Sequence, residues 1–157
     1  MEENLCTVFD PDCRVDVALR THSNLYVTAL NAVTGFYLAG VSQRVLGWEN
    51  FTLLRLSDDE VALKTAHGTY VTAFSEQDDW SLRGRADRIL GWESFKIHYL
   101  NDSPKAFGGS ESGKHIPIAL RTRHGHWVRG RGVEQGFRLT GNGTELKPDC
   151  VFGLRIL

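Results

Sequence analysis

Short apolar stretches alternate with turn residues along most of the chain. In the first clear stretch, Val17 and Leu19 alternate with Ala18 and Arg20, the period of two that is typical of a half-buried strand. Gly68 lies at a turn between two such stretches, after Val61-Ala-Leu-Lys-Thr, where the chain must fold back sharply, and glycine tolerates the positive φ that such turns require. No window of a dozen residues keeps the period of an amphipathic helix. The pattern predicts an all-β protein.

One unit of sequence occurs three times. Its opening segment is Val17-Ala-Leu-Arg-Thr, which recurs as Val61-Ala-Leu-Lys-Thr and Ile118-Ala-Leu-Arg-Thr. Its closing segment is Gly47-Trp-Glu-Asn-Phe, then Gly91-Trp-Glu-Ser-Phe, and the third copy keeps only the phenylalanine. The spacing is constant, since 34 positions separate the residues of each of the pairs Val17 and Phe51, Val61 and Phe95, and Ile118 and Phe152. Such repeats indicate one supersecondary unit used three times.

The repeats describe a single domain, residues 1–157, with units at about 17–60, 61–100 and 118–157. Residues 1–16 precede the first unit, and residues 101–117 contain an insertion between the second and the third. A chain of 157 residues is consistent with one domain.

Each unit carries four short apolar stretches, so the three units predict twelve strands and a β-trefoil. In this fold the first and fourth strands of each unit form a six-stranded barrel, and the second and third form three hairpins that cap one end. A unit alone buries too little surface, so the three share one core. A three-bladed propeller is the main geometric alternative, but propellers typically have at least four blades.

Two segments of the repeat also resemble a known family. The A-L-[RK]-T-x-x-G-x-[YW]-[VL]-x-A and G-W-E-x-F segments are similar to those of fascin-like β-trefoils, the actin-crosslinking superfamily. The resemblance covers about residues 17–157 and is stronger in the first two units. It implies the β-trefoil fold and leaves function open, because the family includes actin-binding proteins and sugar-binding modules. The Q-x-W signature of ricin-type lectins does not occur in the sequence.

Positions repeated in all three units are interpreted as core. They are Leu19, Leu63 and Leu120, then Val27, Val71 and Val128, and finally Phe51, Phe95 and Phe152. The Trp48-Glu49 and Trp92-Glu93 pairs occur twice and are interpreted as structural bridges between units. Because a fold does not specify function, function is expected where the threefold symmetry is broken.

The first break in symmetry is Asp78-Asp79-Trp80, where the other units have Thr34-Gly35-Phe36 and Gln135-Gly136-Phe137. Carboxylates beside an indole suit a sugar, because the acids accept hydrogen bonds from hydroxyl groups and the ring packs on C–H bonds. The alternative is a solvated hairpin tip with a partly buried tryptophan. Asp78, Asp79 and Trp80 are therefore one candidate ligand site.

The second break is charge. Residues 114–138 hold six Lys or Arg and one acid, whereas residues 1–16 hold five acids and one Arg. This asymmetry favours an anion-binding face around Arg121, Arg123 and Arg129, unless the acidic segment neutralises it. His124 and His126, on a turn within this region, are further candidates for ligand contact. The sequence has no third metal-ligating residue at a diagnostic spacing from them, so no metal site is predicted.

Several classes of function are disfavoured. The net charge of −1 gives no argument for nucleic-acid binding, and no apolar run is long enough to span a membrane. The acidic start of the sequence does not look like a signal peptide, so a soluble, cytoplasmic protein with free thiols is expected. No nucleophile elbow, P-loop or H-E-x-x-H motif occurs, although a cysteine–histidine pair stays open. No cofactor is predicted.

The sequence thus predicts a binding module with no catalytic residues. One function is carbohydrate binding of the lectin type, with a glycan or other polar small molecule as ligand. The alternative is binding or crosslinking of actin filaments through basic faces. Crosslinking would require two filament sites or dimerisation, and the sequence shows no second domain, which favours the carbohydrate-binding interpretation.

Overall fold

Antiparallel strands make up most of the described protein. The computed structural model describes residues 14–100, 115–133 and 136–157. Its strands are β1 (Arg14–Arg20), β2 (Tyr26–Ala29), β3 (Leu38–Ser42), β4 (Phe51–Arg55), β5 (Glu60–Lys64), β6 (Tyr70–Ala73), β7 (Leu82–Ala86), β8 (Phe95–Tyr99), β9 (His115–Arg121), β10 (Trp127–Gly130), β11 (Leu139–Gly143) and β12 (Phe152–Ile156). Short 3₁₀ helices lie at Ala32–Thr34, Gly47–Glu49, Glu76–Asp78, Gly91–Glu93 and Pro148–Cys150. Across the three described ranges, no helix has the length and apolar character needed to cross a membrane.

Six strands close into a barrel. Pairing runs from β1 to β4, β5, β8, β9 and β12 and returns to β1. These are the first and fourth strands of the three units. The second and third strands pair as the hairpins β2–β3, β6–β7 and β10–β11. The protein is therefore a β-trefoil, and the predicted fold class is confirmed.

Two barrel strands begin earlier than the repeats alone indicate. β1 starts at Arg14 and β9 at His115, within the segments that the sequence places before and between units. The reason is that each strand must reach two neighbours. β1 pairs with β4 through residues 14–17 and with β12 through residues 17–20, and β9 divides in the same way between β12 and β8.

The predicted core positions are buried. All nine of the repeated Leu, Val and Phe side chains are 1% exposed or less, and they belong to one hydrophobic cluster. Burial alternates strictly along β4 and β12, as expected for strands with one face toward the barrel interior. The contribution of these side chains to folding is about 1.5–3 kcal/mol each by transfer free energy.

The two repeated glutamates are buried within their own units. Thr28 Oγ1 donates to Glu49 Oε2 at 2.7 Å, and Thr72 Oγ1 donates to Glu93 Oε2 at 2.7 Å. The second oxygen of Glu93 accepts from the Leu90 N–H at 2.7 Å, with the same arrangement at Glu49. Buried carboxylates are tolerated only with such partners, so these residues are structural, as predicted, but they act within a unit.

Trp48 and Trp92, which precede these glutamates in the sequence, each contact the next unit. The Trp48 ring lies edge-on to His67 of the second unit, with centroids 4.9 Å apart. Trp92 lies edge-on to His124 of the third unit at 4.7 Å. In both cases the histidine Nε2 also lies within hydrogen-bonding distance of a carbonyl of the preceding unit.

The three hairpins are linked in a cycle at the cap. A glycine amide of each hairpin donates to a carbonyl of another, in the pairs Gly40 to Phe137 (2.8 Å), Gly84 to Phe36 (2.9 Å) and Gly141 to Trp80 (2.7 Å). Space at these glycines is limited. A Cβ on Gly141 would lie 2.8 Å from the Thr122 methyl group, and Gly40 and Gly84 face equivalent threonines.

Candidate functional site

A cavity of about 320 Å³ lies in the hairpin cap and contains the first predicted site. We call it the hairpin cavity. Asp78, Asp79 and Trp80 all line it, so the structure brings these three side chains to one place as the sequence suggests. Its other lining residues are Tyr37, Ser81, Arg131, Arg138, Leu139, Thr140 and Asn142.

The backbone at this site is strained. Asp79 has φ 56° and Trp80 has φ 56°, both in the left-handed region. The residues equivalent to Asp79 are Gly35 and Gly136, which adopt positive φ without steric cost. For a residue with a Cβ the left-handed region costs about 1–2 kcal/mol, less for aspartate than for most others. The second unit therefore carries an exposed carboxylate where its sister units carry the residue that the backbone favours.

The Trp80 ring packs on the turn that carries the two predicted histidines. It lies edge-on to His126 with centroids 4.9 Å apart and to His124 at 5.7 Å. His124 is also held by Trp92 and by the carbonyl of Ala73, 3.0 Å from its Nε2. His124 thus supports the position of Trp80, and neither histidine lines the hairpin cavity.

Sequence reasoning missed Tyr37 and Arg138. The Arg138 guanidinium lies over the Tyr37 ring, 3.8 Å from its centroid, and the Tyr37 hydroxyl accepts from Arg83 Nη2 at 3.0 Å. Tyr37, Ser81 and Arg138 occupy one position of the repeat, directly after the left-handed aromatic residue. A signal was present, because this position holds a different residue type in every unit.

A second cavity, of about 420 Å³, holds Arg121 and Arg123. We call it the strand cavity, and its lining is Glu60, Ser94, Lys96, Arg121, Thr122, Arg123 and Gly125. Arg121 Nε donates to the Gly125 carbonyl at 3.1 Å, and its guanidinium lies 5.5 Å from the centroid of the Trp127 ring. Arg123 Nη1 is 4.0 Å from Glu60 Oε2. Two of the predicted basic residues therefore face one shared cavity.

Arg129 lies elsewhere and is engaged within the protein. Its Nε and Nη2 donate to Asp149 Oδ2 at 3.0 and 2.9 Å. In the repeat, Arg129 takes the place of Thr28 and Thr72, and Cys150 takes the place of the buried glutamates. The ion pair thus replaces the threonine–glutamate hydrogen bond of the first two units.

A third cavity, of about 830 Å³, is lined by residues that include Arg20, His22, His115 and Lys147. His115 Nε2 lies 3.0 Å from the Tyr26 hydroxyl. Burial and the cations Arg20 and Arg155 lower the pKa of this histidine. Most of the insertion and most of the acidic segment 1–16, which could neutralise the basic face, lie outside the described residues. Within the described ranges, no three His, Cys, Asp or Glu side chains are grouped to hold a metal ion.

Comparisons with known proteins support the fold. No protein-family model matches the chain, and no curated protein matches it. The designed threefold-symmetric protein ThreeFoil is 16% identical with a TM-score of 0.72, over 90% of this chain and 99% of its own. The BEL β-trefoil is 10% identical with a TM-score of 0.68, over 97% and 100%. Cry35Ab1 is 9% identical with a TM-score of 0.66, over 95% of this chain and 37% of its own. Fascin-like membership and cytoplasmic location stay predictions.

Proposed function

We propose that the protein is a non-catalytic carbohydrate-binding module whose sugar site is the hairpin cavity. The observation that carries this proposal is the grouping of two exposed carboxylates with the Trp80 ring at one cavity, whose lining also includes Arg131 and Arg138. Binding pockets typically combine an apolar or aromatic wall with a few polar groups that fix orientation. Carboxylates accept hydrogen bonds from sugar hydroxyls, guanidinium groups donate to them, and an indole packs on the C–H face of a pyranose.

The strained backbone at Asp79 supports the same proposal. Residues held in sparsely populated backbone regions cluster at functional sites, where the surrounding structure maintains them. Glycine at this position would relieve the strain, as it does in the other two units. Asp79 is exposed, so packing of its side chain does not offset the backbone strain. We therefore assign its carboxylate a binding role.

The test begins with a glycan-array screen of the wild-type protein, followed by calorimetry of Asp79→Gly with the glycan found. We expect Asp79→Gly to lower affinity by about 10–100-fold, the effect of losing a hydrogen bond to a charged group. Its melting temperature should equal or exceed that of the wild type, because the residue matches Gly35 and Gly136. Loss of binding without loss of stability separates a binding role from a structural one.

Two further variants complete the test. Trp80→Phe installs the residue type of the other units and should fold normally, yet bind more weakly because the aromatic surface is smaller. Glu76→Ala removes an exposed acid from the same hairpin outside the cavity and is the matched control. Equal affinity of Asp79→Gly, Trp80→Phe and wild type for one glycan would overturn the hairpin-cavity assignment.

Actin-filament binding is the alternative, and the exposed cations Arg121 and Arg123 favour it. Filament co-sedimentation of the same variants distinguishes the two functions. Pelleting with filaments that is unchanged in Asp79→Gly but lost on neutralising Arg121 would assign the function to the strand cavity and its surroundings.

A further inference from the structure

Three rows of cross-strand neighbours mark the junctions between units in the barrel. At each junction one residue of a fourth strand pairs with residues of two first strands. The rows are Asp16–Thr52–Lys64, Glu60–Lys96–Arg121 and Pro117–Gly153–Arg20. The rows occupy equivalent positions in the repeat, so each is an internal control for the others.

The middle row differs in charge from the other two. Lys96 lies directly opposite Arg121, and like charges in opposed positions destabilise a sheet. In the first row the corresponding residue is Thr52, whose hydroxyl donates to Asp16 Oδ1 at 3.2 Å. In the third row it is Gly153. Among these rows of described residues, only the middle one sets two cations against each other.

A third cation increases the excess. Arg123 lines the same cavity, and its position in the second unit is occupied by Ala66. Among the described residues of the lining, Glu60 is the single carboxylate, and it lies 4.0 Å from Arg123, at the limit of an ion pair. The lining of the strand cavity thus carries three cations and one anion, an excess of two positive charges.

We propose that the strand cavity binds a tetrahedral oxyanion, the sulfate or phosphate group of a small ester or the free ion. Lys96 and Arg123 supply charge, and Arg121 is held in place by the Gly125 carbonyl, which accepts from its Nε, and by the Trp127 ring. Ser94 and Thr122 add hydroxyl-bearing residues to the wall. A group with two negative charges offsets the excess and relieves the Lys96–Arg121 repulsion. Guanidinium groups match the geometry of such oxyanions.

His98 reports on the charge of this cavity. Its ring lies edge-on to Trp127, the ring under Arg121, with centroids 4.9 Å apart. Burial, Arg121 and Lys96 lower its pKa, and Asp59 opposes them. An anion bound between the two cations cancels part of their effect, so the pKa of His98 rises when the cavity is occupied.

The experiment is an NMR titration of His98 with inorganic sulfate and inorganic phosphate, in chloride at constant ionic strength to remove general screening. The pKa of His98 should rise to a plateau with added anion. Lys96→Thr introduces the side chain of the first unit and Arg123→Ala that of the second. Each should weaken binding about 10–100-fold, as expected for the loss of one charged hydrogen-bond donor. Lys64→Gln, which removes the counterpart of Arg121 in the first row, should bind like the wild type.

The outcomes separate the sources of the anion and the two sites. Tighter binding of glucose 6-sulfate or glucose 6-phosphate than of the free ions identifies an ester ligand and its type; equal binding identifies the free ion. A response that does not saturate, or that is the same in Lys96→Thr and Lys64→Gln, overturns the proposal. Asp79→Gly should leave anion binding unchanged, so failure here and failure of the carbohydrate proposal are distinguishable.

Discussion

Leu63→Ala is expected to destabilise the protein by about 2–5 kcal/mol, the usual cost of a large-to-small change in a packed core. Leu63 is 1% exposed and lies in β5 opposite Leu53 of β4. β5 also pairs with β8 and β6, so it connects two units of the barrel and one hairpin. The cavity left by the lost side chain is surrounded by buried neighbours on several strands and cannot collapse without distorting the barrel.

Urea unfolding followed by circular dichroism measures this effect. Leu46→Ala is the control, because the Leu46 side chain is 62% exposed and its loss should change the free energy of unfolding by less than about 0.5 kcal/mol. If Leu63→Ala and Leu46→Ala unfold at the same urea concentration, the prediction that the three units share one core is wrong.

Glu93→Ala is expected to cost about 2–4 kcal/mol, since unpaired buried polar groups cost about 1–3 kcal/mol each. The substitution leaves the Thr72 hydroxyl and the Leu90 N–H without their acceptor. Glu93 is buried, and water reaches this position poorly. One of the two lost hydrogen bonds connects β6 to the 3₁₀ turn that leads into β8, and the other lies at the start of that turn.

A double-mutant cycle with Thr72→Val isolates the hydrogen bond. Thr72→Val removes the hydroxyl, so Glu93→Ala in that background should cost less than it does alone. Glu145→Ala is the control, because the Glu145 side chain is exposed and forms an ion pair with the exposed Lys147. Strict additivity of Thr72→Val and Glu93→Ala in thermal unfolding would contradict the structural role of this pair.

The repeats predict most of the fold because every unit has to bury the same face against its neighbours. Leu63 and Phe95 are identifiable as core by comparing units within one chain. Asp79 and Trp80 were identifiable for the opposite reason, as positions where one unit departs from the rest. In both cases the prediction needs only a comparison of equivalent positions, which are 44 positions apart between the first and second units and 57 apart between the second and third.

The rest of the candidate site depends on contacts between hairpins. Tyr37 and Arg138 are about 100 positions apart and meet only because the hairpins converge on the cap. The charge pattern of the sequence does not reveal the partner of Arg129, because its ion pair with Asp149 joins residues 20 positions apart. In the third unit a cation stands at the threonine position and a carboxylate, Asp149, stands at the tryptophan position. Considered together, these two departures indicate that the two residues pair with each other.

The cyclic links between the hairpins have a consequence for how the protein opens. Each unit donates one of the three cap hydrogen bonds and accepts another, so release of any one unit breaks two of the three. It also opens the barrel at two junctions, and what remains has exposed strand edges and a divided core. Partial opening is therefore almost as costly as complete unfolding, and hydrogen exchange at the amides of Gly40, Gly84 and Gly141 should give one common free energy of opening.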